Sequence, residues 1–98
     1  EYLNLLGNAL AKLEKIISPS ILFYQAGVDV LQSDQLGRLA LSVNGCMKRD
    51  KMVFEFAIKN QIPCCVTMGG GYSKDLNTII EAHTNTFYLA NLLFGINR

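Results

Sequence analysis

Two short segments of this 98-residue chain carry side chains that can take part in catalysis. One contains Asp34, a carboxylate of the kind that binds a catalytic metal ion. The other contains Tyr72, whose phenol can donate a hydrogen bond to a developing oxyanion. Tyr72 follows Gly69, Gly70 and Gly71, which let the backbone take left-handed conformations and approach a ligand closely. Neither signal is specific alone, because Asp is common in turns and glycine-rich turns often precede helices.

The apolar pattern indicates which elements position these two segments. Ile21–Tyr24 is typical of a parallel strand buried on both faces, and Ile62–Met68 is a second apolar run of strand length. A predicted helix connects them, with its N-cap candidates in Ser42-Val43-Asn44 and its end near Asn60. A strand–helix–strand unit has parallel strands and a right-handed crossover. Both segments then leave the sheet at its carboxyl edge, where open α/β sheets bind ligands.

Two further helices flank this unit. Glu1–Ile17 has an apolar stripe and ends before Pro19, since proline disfavours the α conformation in the preceding residue. The last helix is capped by Ser73 or Asp75 and ends at Gly95. Its predicted buried stripe comprises Leu76, Ile79, Ile80, His83, Phe87, Ala90 and Phe94. The only histidine lies on this stripe and is therefore predicted to be a hydrogen-bonded core residue rather than a metal ligand.

Asp29 and Asp50 are predicted to be structural. Asp50 falls on the apolar face of the helix between the two strands, together with Cys46 and Phe54. A carboxylate on such a face requires a partner. Arg38 and Arg49 are the candidates for that partner.

Composition excludes several classes of function. The net charge is +1 and the basic residues are scattered, which gives little support for nucleic-acid binding. The chain has no apolar run long enough to span a bilayer and no signal peptide, so we expect no membrane partner. Half of the residues are hydrophobic and 17% are charged, which predicts apolar surface that is either exposed or covered by something absent from this sequence. Cys46, Cys64 and Cys65 lack the spacing of a metal or disulfide framework and favour a reducing, cytoplasmic location.

Three motifs, in order, resemble the C-terminal part of the histone deacetylase superfamily, in particular class IV and bacterial deacetylase-like members. They are Tyr24-x-Ala26-Gly27-x-Asp29-x-x-x-x-Asp34-x-Leu36-Gly37, then Arg49-Asp50, then Gly69-Gly70-Gly71-Tyr72-Ser73. The similarity covers about Pro19 to Ala90. It implies an α/β fold, with this chain as a βαβ fragment of the three-layer α/β/α parallel-sheet fold of arginases and deacetylases. Residues 1–98 are then expected to be the C-terminal segment of an incomplete catalytic domain.

The same resemblance implies a zinc-dependent amide hydrolase that acts on acetyl-lysine, an acylated polyamine or another N-acyl amine. It implies that Asp34 is a zinc ligand and that Tyr72 is the catalytic tyrosine that polarises the scissile carbonyl. Gly70 and Gly71 are implied to line the acyl-lysine channel. The Asp-x-His motif and His-His pair that complete the family's site do not occur in this sequence. We therefore expect the remainder of the catalytic domain to supply them, and residues 1–98 alone to be inactive.

A non-catalytic alternative stays open from the residues themselves. The glycine-rich segment and the helix N-terminus after it can bind an anion or a protein partner. The spacing of this segment, however, is not that of a P-loop. Unpaired strand edges also lead us to expect association, either with the rest of the enzyme or as a homo-oligomer. Zinc analysis separates the two functions, because only the hydrolase requires the metal.

Overall fold

The computed structural model describes residues 1–34, 36, 37 and 39–95. Its elements follow in the order α1 (Tyr2–Ile16), β1 (Leu22–Gly27), α2 (Val43–Lys59), β2 (Cys64–Gly69) and α3 (Leu76–Leu93). This order confirms the predicted α/β class and the βαβ unit formed by β1, α2 and β2. Over the residues described, no helix is both long and apolar enough to cross a membrane.

β1 and β2 form a two-stranded parallel sheet. Their register runs from Leu22 opposite Cys64 to Gly27 opposite Gly69. β1 continues three residues beyond its predicted end at Tyr24, and both strands therefore stop at paired glycines. This matched ending starts the two following loops side by side at the carboxyl edge of the sheet.

Within the described residues the sheet is covered on one face, which corrects the prediction that Ile21–Tyr24 is buried on both. Tyr24 and Ala26 are buried against α2, and the Tyr24 ring meets Phe54 edge-on with centroids 5.8 Å apart. Phe23 on the opposite face is 71% exposed. Successive residues of a strand point to opposite faces. A strand that is apolar on both faces can be buried on both, but its sequence does not show which faces other elements cover. The described helices bury one of its two faces.

α2 begins where the sequence predicts. Ser42 is its N-cap, and the Ser42 hydroxyl accepts a hydrogen bond from the Gly45 N–H at 2.9 Å. Phe54 is fully buried at the centre of the core, where it meets Phe94 as well as Tyr24 edge-on. α2 thus packs against the inner face of the sheet, forms the core with it and fixes the position of β1.

The buried face of α3 overlaps the predicted stripe only in part, since Ile79, Ala90 and Phe94 of that stripe pack against the core. Its fully buried residues are Ala82, Thr86 and Leu89. Three large residues of the predicted stripe are exposed instead: Leu76, Ile80 and Phe87. The hydrophobic pattern predicts that the side of the helix with the larger apolar residues is buried. The side that α3 actually buries carries the small residue Ala82 and the polar residue Thr86, and Thr86 finds a buried hydrogen-bond partner.

Candidate active site

The loops that follow β1 and β2 meet beyond the carboxyl edge of the sheet. Oδ1 of Asp34, in the loop after β1, accepts a hydrogen bond from the backbone N–H of Tyr72 at 2.9 Å. A single antiparallel bridge joins Asp34 to Ser73. These contacts link positions 38 and 39 residues apart, because parallel pairing places the ends of both strands at one edge. The structure therefore brings together the two segments that the sequence singled out.

The Asp34 carboxylate is held by backbone groups on both of its oxygens. Oδ2 accepts the N–H groups of Leu36 and Gly37 at 3.0 and 2.7 Å, and the residue is only 8% exposed. Burial raises the pKa of this carboxyl, but the N–H groups of Tyr72, Gly37 and Leu36 together outweigh it and hold the pKa below its ordinary value. Asp34 is consequently an ionised carboxylate of fixed orientation at neutral pH.

These properties are those of a metal ligand. Ligating carboxylates are typically oriented by hydrogen bonds from surrounding groups. A catalytic zinc site takes three protein ligands, however, and the described part of the chain contains no group of three His, Cys, Asp or Glu residues able to hold a metal. The described donor set thus fits one ligand of such a site and does not make a complete one.

The backbone of Tyr72 is held by a hydrogen bond, whereas its side chain is exposed to solvent. Its N–H is bonded to Asp34, whereas the residue as a whole is 55% exposed. Gly70 and Gly71 directly before it both have left-handed backbones, with φ values of +76° and +110°. A Cβ atom on Gly70 would lie 2.7 Å from the backbone nitrogen of Asp29. The glycines are therefore needed for the loops to pack closely together, and the Tyr72 phenol is left accessible at the edge of the sheet.

A buried polar cluster lies beside the carboxyl end of β1, and the sequence predicted it only in part. Asp50 is fully buried and forms an ion pair with Arg49 at 2.9 Å, which confirms one of the two candidate partners. Arg38, the other candidate, lies outside the described residues. The hydroxyl groups of Tyr24 and Thr86 also donate to Asp50. Burial and then this hydrogen bond raise the pKa of Tyr24 well above its ordinary value, so that Tyr24 remains a neutral donor.

His83 lies on α3 and is only partly buried, which corrects the prediction that it is a core residue. The hydrogen bond that we predicted for it is not seen at Nδ1, which is buried without a partner among the described residues. The prediction assumed that His83 lies at the centre of the buried face. That face is centred on Ala82 and Thr86 instead, so the histidine lies at its margin.

Gly37 is a site residue that hydrophobic patterns and charges do not reveal. Its N–H is the shortest donor to Asp34, and a Cβ on Gly37 would lie 1.9 Å from the backbone oxygen of Asp29. No side chain fits there without displacing the backbone of the loop. The one sequence signal for this residue is the Leu36-Gly37 pair that follows Asp34 in the first motif.

We expect Gly37→Ala in the intact protein to lower both its stability and its metal affinity, because the loop must move away from Asp29 and take the N–H donor with it. Gly7→Ala is the matched control. It lies inside α1, where a new Cβ meets only the flexible end of Met52 at 3.3 Å, and alanine should stabilise the helix by about 0.5–1 kcal/mol. Thermal denaturation and metal competition measure both effects. Equal behaviour of the two variants would contradict the role of Gly37.

Comparison with known proteins places this geometry in a family. Residues 1–87 match the model of the histone deacetylase domain. The chain is 39% identical over 80 residues to Histone deacetylase 2 of Arabidopsis thaliana, covering 82% of this chain and 21% of that protein. It is 36% identical over 66 residues to Histone deacetylase 9 of the same plant, covering 67% of this chain and 15% of that protein.

An uncharacterized protein of the cyanobacterium Picosynechococcus sp. is similar over a comparable stretch. The two are 32% identical over 83 residues, which cover 85% of this chain and 28% of that protein. The chain therefore spans between 15% and 28% of the length of these three relatives. With a family match over residues 1–87, a parallel βαβ unit and the Asp34 and Tyr72 loops joined at its carboxyl edge, the chain belongs to the histone deacetylase domain family.

Proposed function

We propose that the intact protein is a zinc-dependent hydrolase that removes the acyl group from acetyl-lysine or a related N-acyl amine, such as an acylated polyamine. The observation that carries this proposal is the Asp34 carboxylate. It is ionised, oriented by backbone N–H groups and joined to the Tyr72 loop, in a chain of the histone deacetylase family. One hydrogen-bonded unit thus carries both the carboxylate that we propose to bind the metal and the phenol that we propose to act on the substrate.

Each residue of this unit has a distinct role in the proposed reaction. When bound, zinc would polarise the amide carbonyl and activate a water molecule. Asp34 would hold the metal, with Leu36 and Gly37 fixing the orientation of its carboxylate. Tyr72 would donate its O–H to the carbonyl oxygen as that oxygen gains negative charge. Gly70 and Gly71, which have no side chains, would leave room along the acyl-lysine channel.

The rest of a catalytic domain would supply what the described residues lack. A catalytic zinc needs three protein ligands, and Asp34 offers one. The proposed reaction also needs a general base to take a proton from the attacking water. That the chain spans at most 28% of the compared relatives' length supports the proposal that further residues of the polypeptide complete the site.

Metal analysis and hydrolysis by the intact protein test this function. We expect about one zinc per active site, loss of hydrolysis after treatment with a chelator, and recovery when zinc is added. An acetyl-lysine peptide and an N-acetylated polyamine, assayed side by side, identify the amine. Residues 1–98 expressed alone should neither retain zinc in dialysis nor hydrolyse either compound. Hydrolysis by the intact protein that is unaffected by metal removal would contradict the proposal.

A further inference from the structure

We propose that Arg49 is a positioning residue that supports the Asp34 and Tyr72 loops through the backbone carbonyl of Gly27. The inference rests on the proposed function and assigns Arg49 a supporting role rather than direct contact with the substrate or the metal. Arg49 lies on α2 and is only 4% exposed, so its charge must be fully satisfied within the protein. The way in which its donors are distributed shows what it supports.

The guanidinium group of Arg49 joins two different parts of the fold. Its Nη1 donates to the carbonyl oxygen of Gly27 at 2.6 Å. Its Nε and Nη2 both donate to Oδ1 of Asp50, at 3.1 and 2.9 Å. The planar guanidinium holds these donors in fixed directions, and a lysine ammonium, as a single point of charge, cannot make the same set of contacts. Arg49 therefore links the end of β1 to a buried carboxylate.

Asp50 is in turn a fixed support for Arg49. It accepts hydrogen bonds from Tyr24 of β1 and, at 2.5 Å, from Thr86 of α3, while Arg49 approaches it from the same helix. Three elements therefore converge on one carboxylate. Such a network rigidifies its surroundings when every member is satisfied. The Asp50 contacts use only Nε and Nη2 of Arg49, and the remaining nitrogen, Nη1, is directed at the Gly27 carbonyl.

Gly27 is the junction from which both site loops start. It is the last residue of β1 and pairs with Gly69, the last residue of β2. The next N–H, of Val28, donates to the Gly69 carbonyl at 3.0 Å. A displacement of Gly27 would therefore move the start of the Asp34 loop and, through Gly69, the start of the Tyr72 loop.

Arg49 reaches this junction beside a polar cavity. The cavity has a volume of about 220 Å³, and Arg49, Gly27, Asp29, Gly69 and Gly70 are among the residues that line it. The charged hydrogen bond from Arg49 restrains the Gly27 carbonyl at the wall of this cavity.

Zinc affinity of variants of the intact protein tests the inference. Arg49→Lys keeps the charge beside Asp50 but cannot also hold Gly27. It should weaken zinc binding about tenfold or more, as loss of groups that orient a metal ligand does, and lower kcat with little change in KM. Tyr24→Phe is the matched control, because it removes a hydrogen bond to the same carboxylate and leaves the Gly27 contact intact. It should lower the melting temperature and leave zinc affinity unchanged.

A combined variant separates support of the loops from support of the core. Arg49→Met with Asp50→Leu, Tyr24→Phe and Thr86→Val replaces the buried ion pair together with both hydroxyl groups that donate to Asp50. Such an exchange of all partners for apolar side chains is often neutral or stabilising for folding. We expect this variant to melt near the wild-type temperature and still to bind zinc about tenfold more weakly. Zinc affinity equal to wild type in this folded variant would overturn the role of Arg49 while the proposed function stands. Wild-type protein without zinc would overturn both.

Discussion

Replacement of Tyr72 by phenylalanine in the intact protein should lower kcat by about two to three orders of magnitude while zinc remains bound. The loss corresponds to removal of one hydrogen-bond donor to the developing oxyanion. The metal should remain because the contact to Asp34 comes from the backbone N–H of residue 72, which phenylalanine also provides. Tyr72 is 55% exposed, so loss of its hydroxyl is not expected to disturb the fold. Steady-state kinetics on an acetyl-lysine peptide, with metal analysis of the same samples, measure both parts of this prediction.

Tyr88→Phe is the matched control for this change. Tyr88 lies on α3 at a similar exposure of 58%, and its replacement should leave kcat unchanged. A Tyr72→Phe protein with wild-type kcat would show that the phenol does not stabilise the oxyanion. Loss of zinc from that protein would show instead that the tyrosine side chain supports the metal site.

Replacement of Asp34 by alanine should remove most of the bound zinc and nearly all activity. One ligand of the metal is lost, and three backbone N–H groups, those of Leu36, Gly37 and Tyr72, lose their acceptor. The two loops are then no longer joined by the carboxylate, so the melting temperature should fall as well. Asparagine is not a conservative substitute, because both oxygens of Asp34 accept hydrogen bonds and an amide NH₂ cannot accept one.

Asp75→Ala is the control for a general effect of removing a carboxylate from this region. Asp75 is the exposed N-cap of α3, and its oxygens accept hydrogen bonds from the Asn77 N–H and the Thr78 hydroxyl. Its removal should cost about 1 kcal/mol of stability, the usual effect of losing an N-cap, and should leave zinc content unchanged. An Asp34→Ala protein with full zinc occupancy and normal turnover would rule out the proposed ligand.

Local signals in the sequence predicted most of the architecture. The strand-length apolar runs and the Ser42 cap indicated the βαβ unit, and the structure contains it. Parallel pairing then required that the Asp34 and Tyr72 segments lie at one edge, and a hydrogen bond joins them there. These features follow from neighbouring residues along the chain, because backbone preferences and turn chemistry act over a few positions.

Long-range contacts account for the errors. The stripe predicted for α3 included Ile80 and Phe87, whereas the buried face carries Ala82 and Thr86. Hydrophobic periodicity ranks the faces of a helix by their apolar content. Which face is buried depends on the shape and hydrogen-bonding groups of the partner, and Thr86 faces inward where the buried carboxylate of Asp50 accepts its hydroxyl.

By itself, the sequence determined the α/β class, the order of the elements and the membership in the histone deacetylase family that its motifs indicated, and it offered Arg38 and Arg49 as candidate partners of Asp50. Only the tertiary structure decided that Gly37 orients Asp34 and that Arg49 also holds the Gly27 carbonyl. Both of these contacts involve backbone groups, which every residue carries and which no residue type identifies. The loops and strands must therefore be placed in space before such contacts can be recognised.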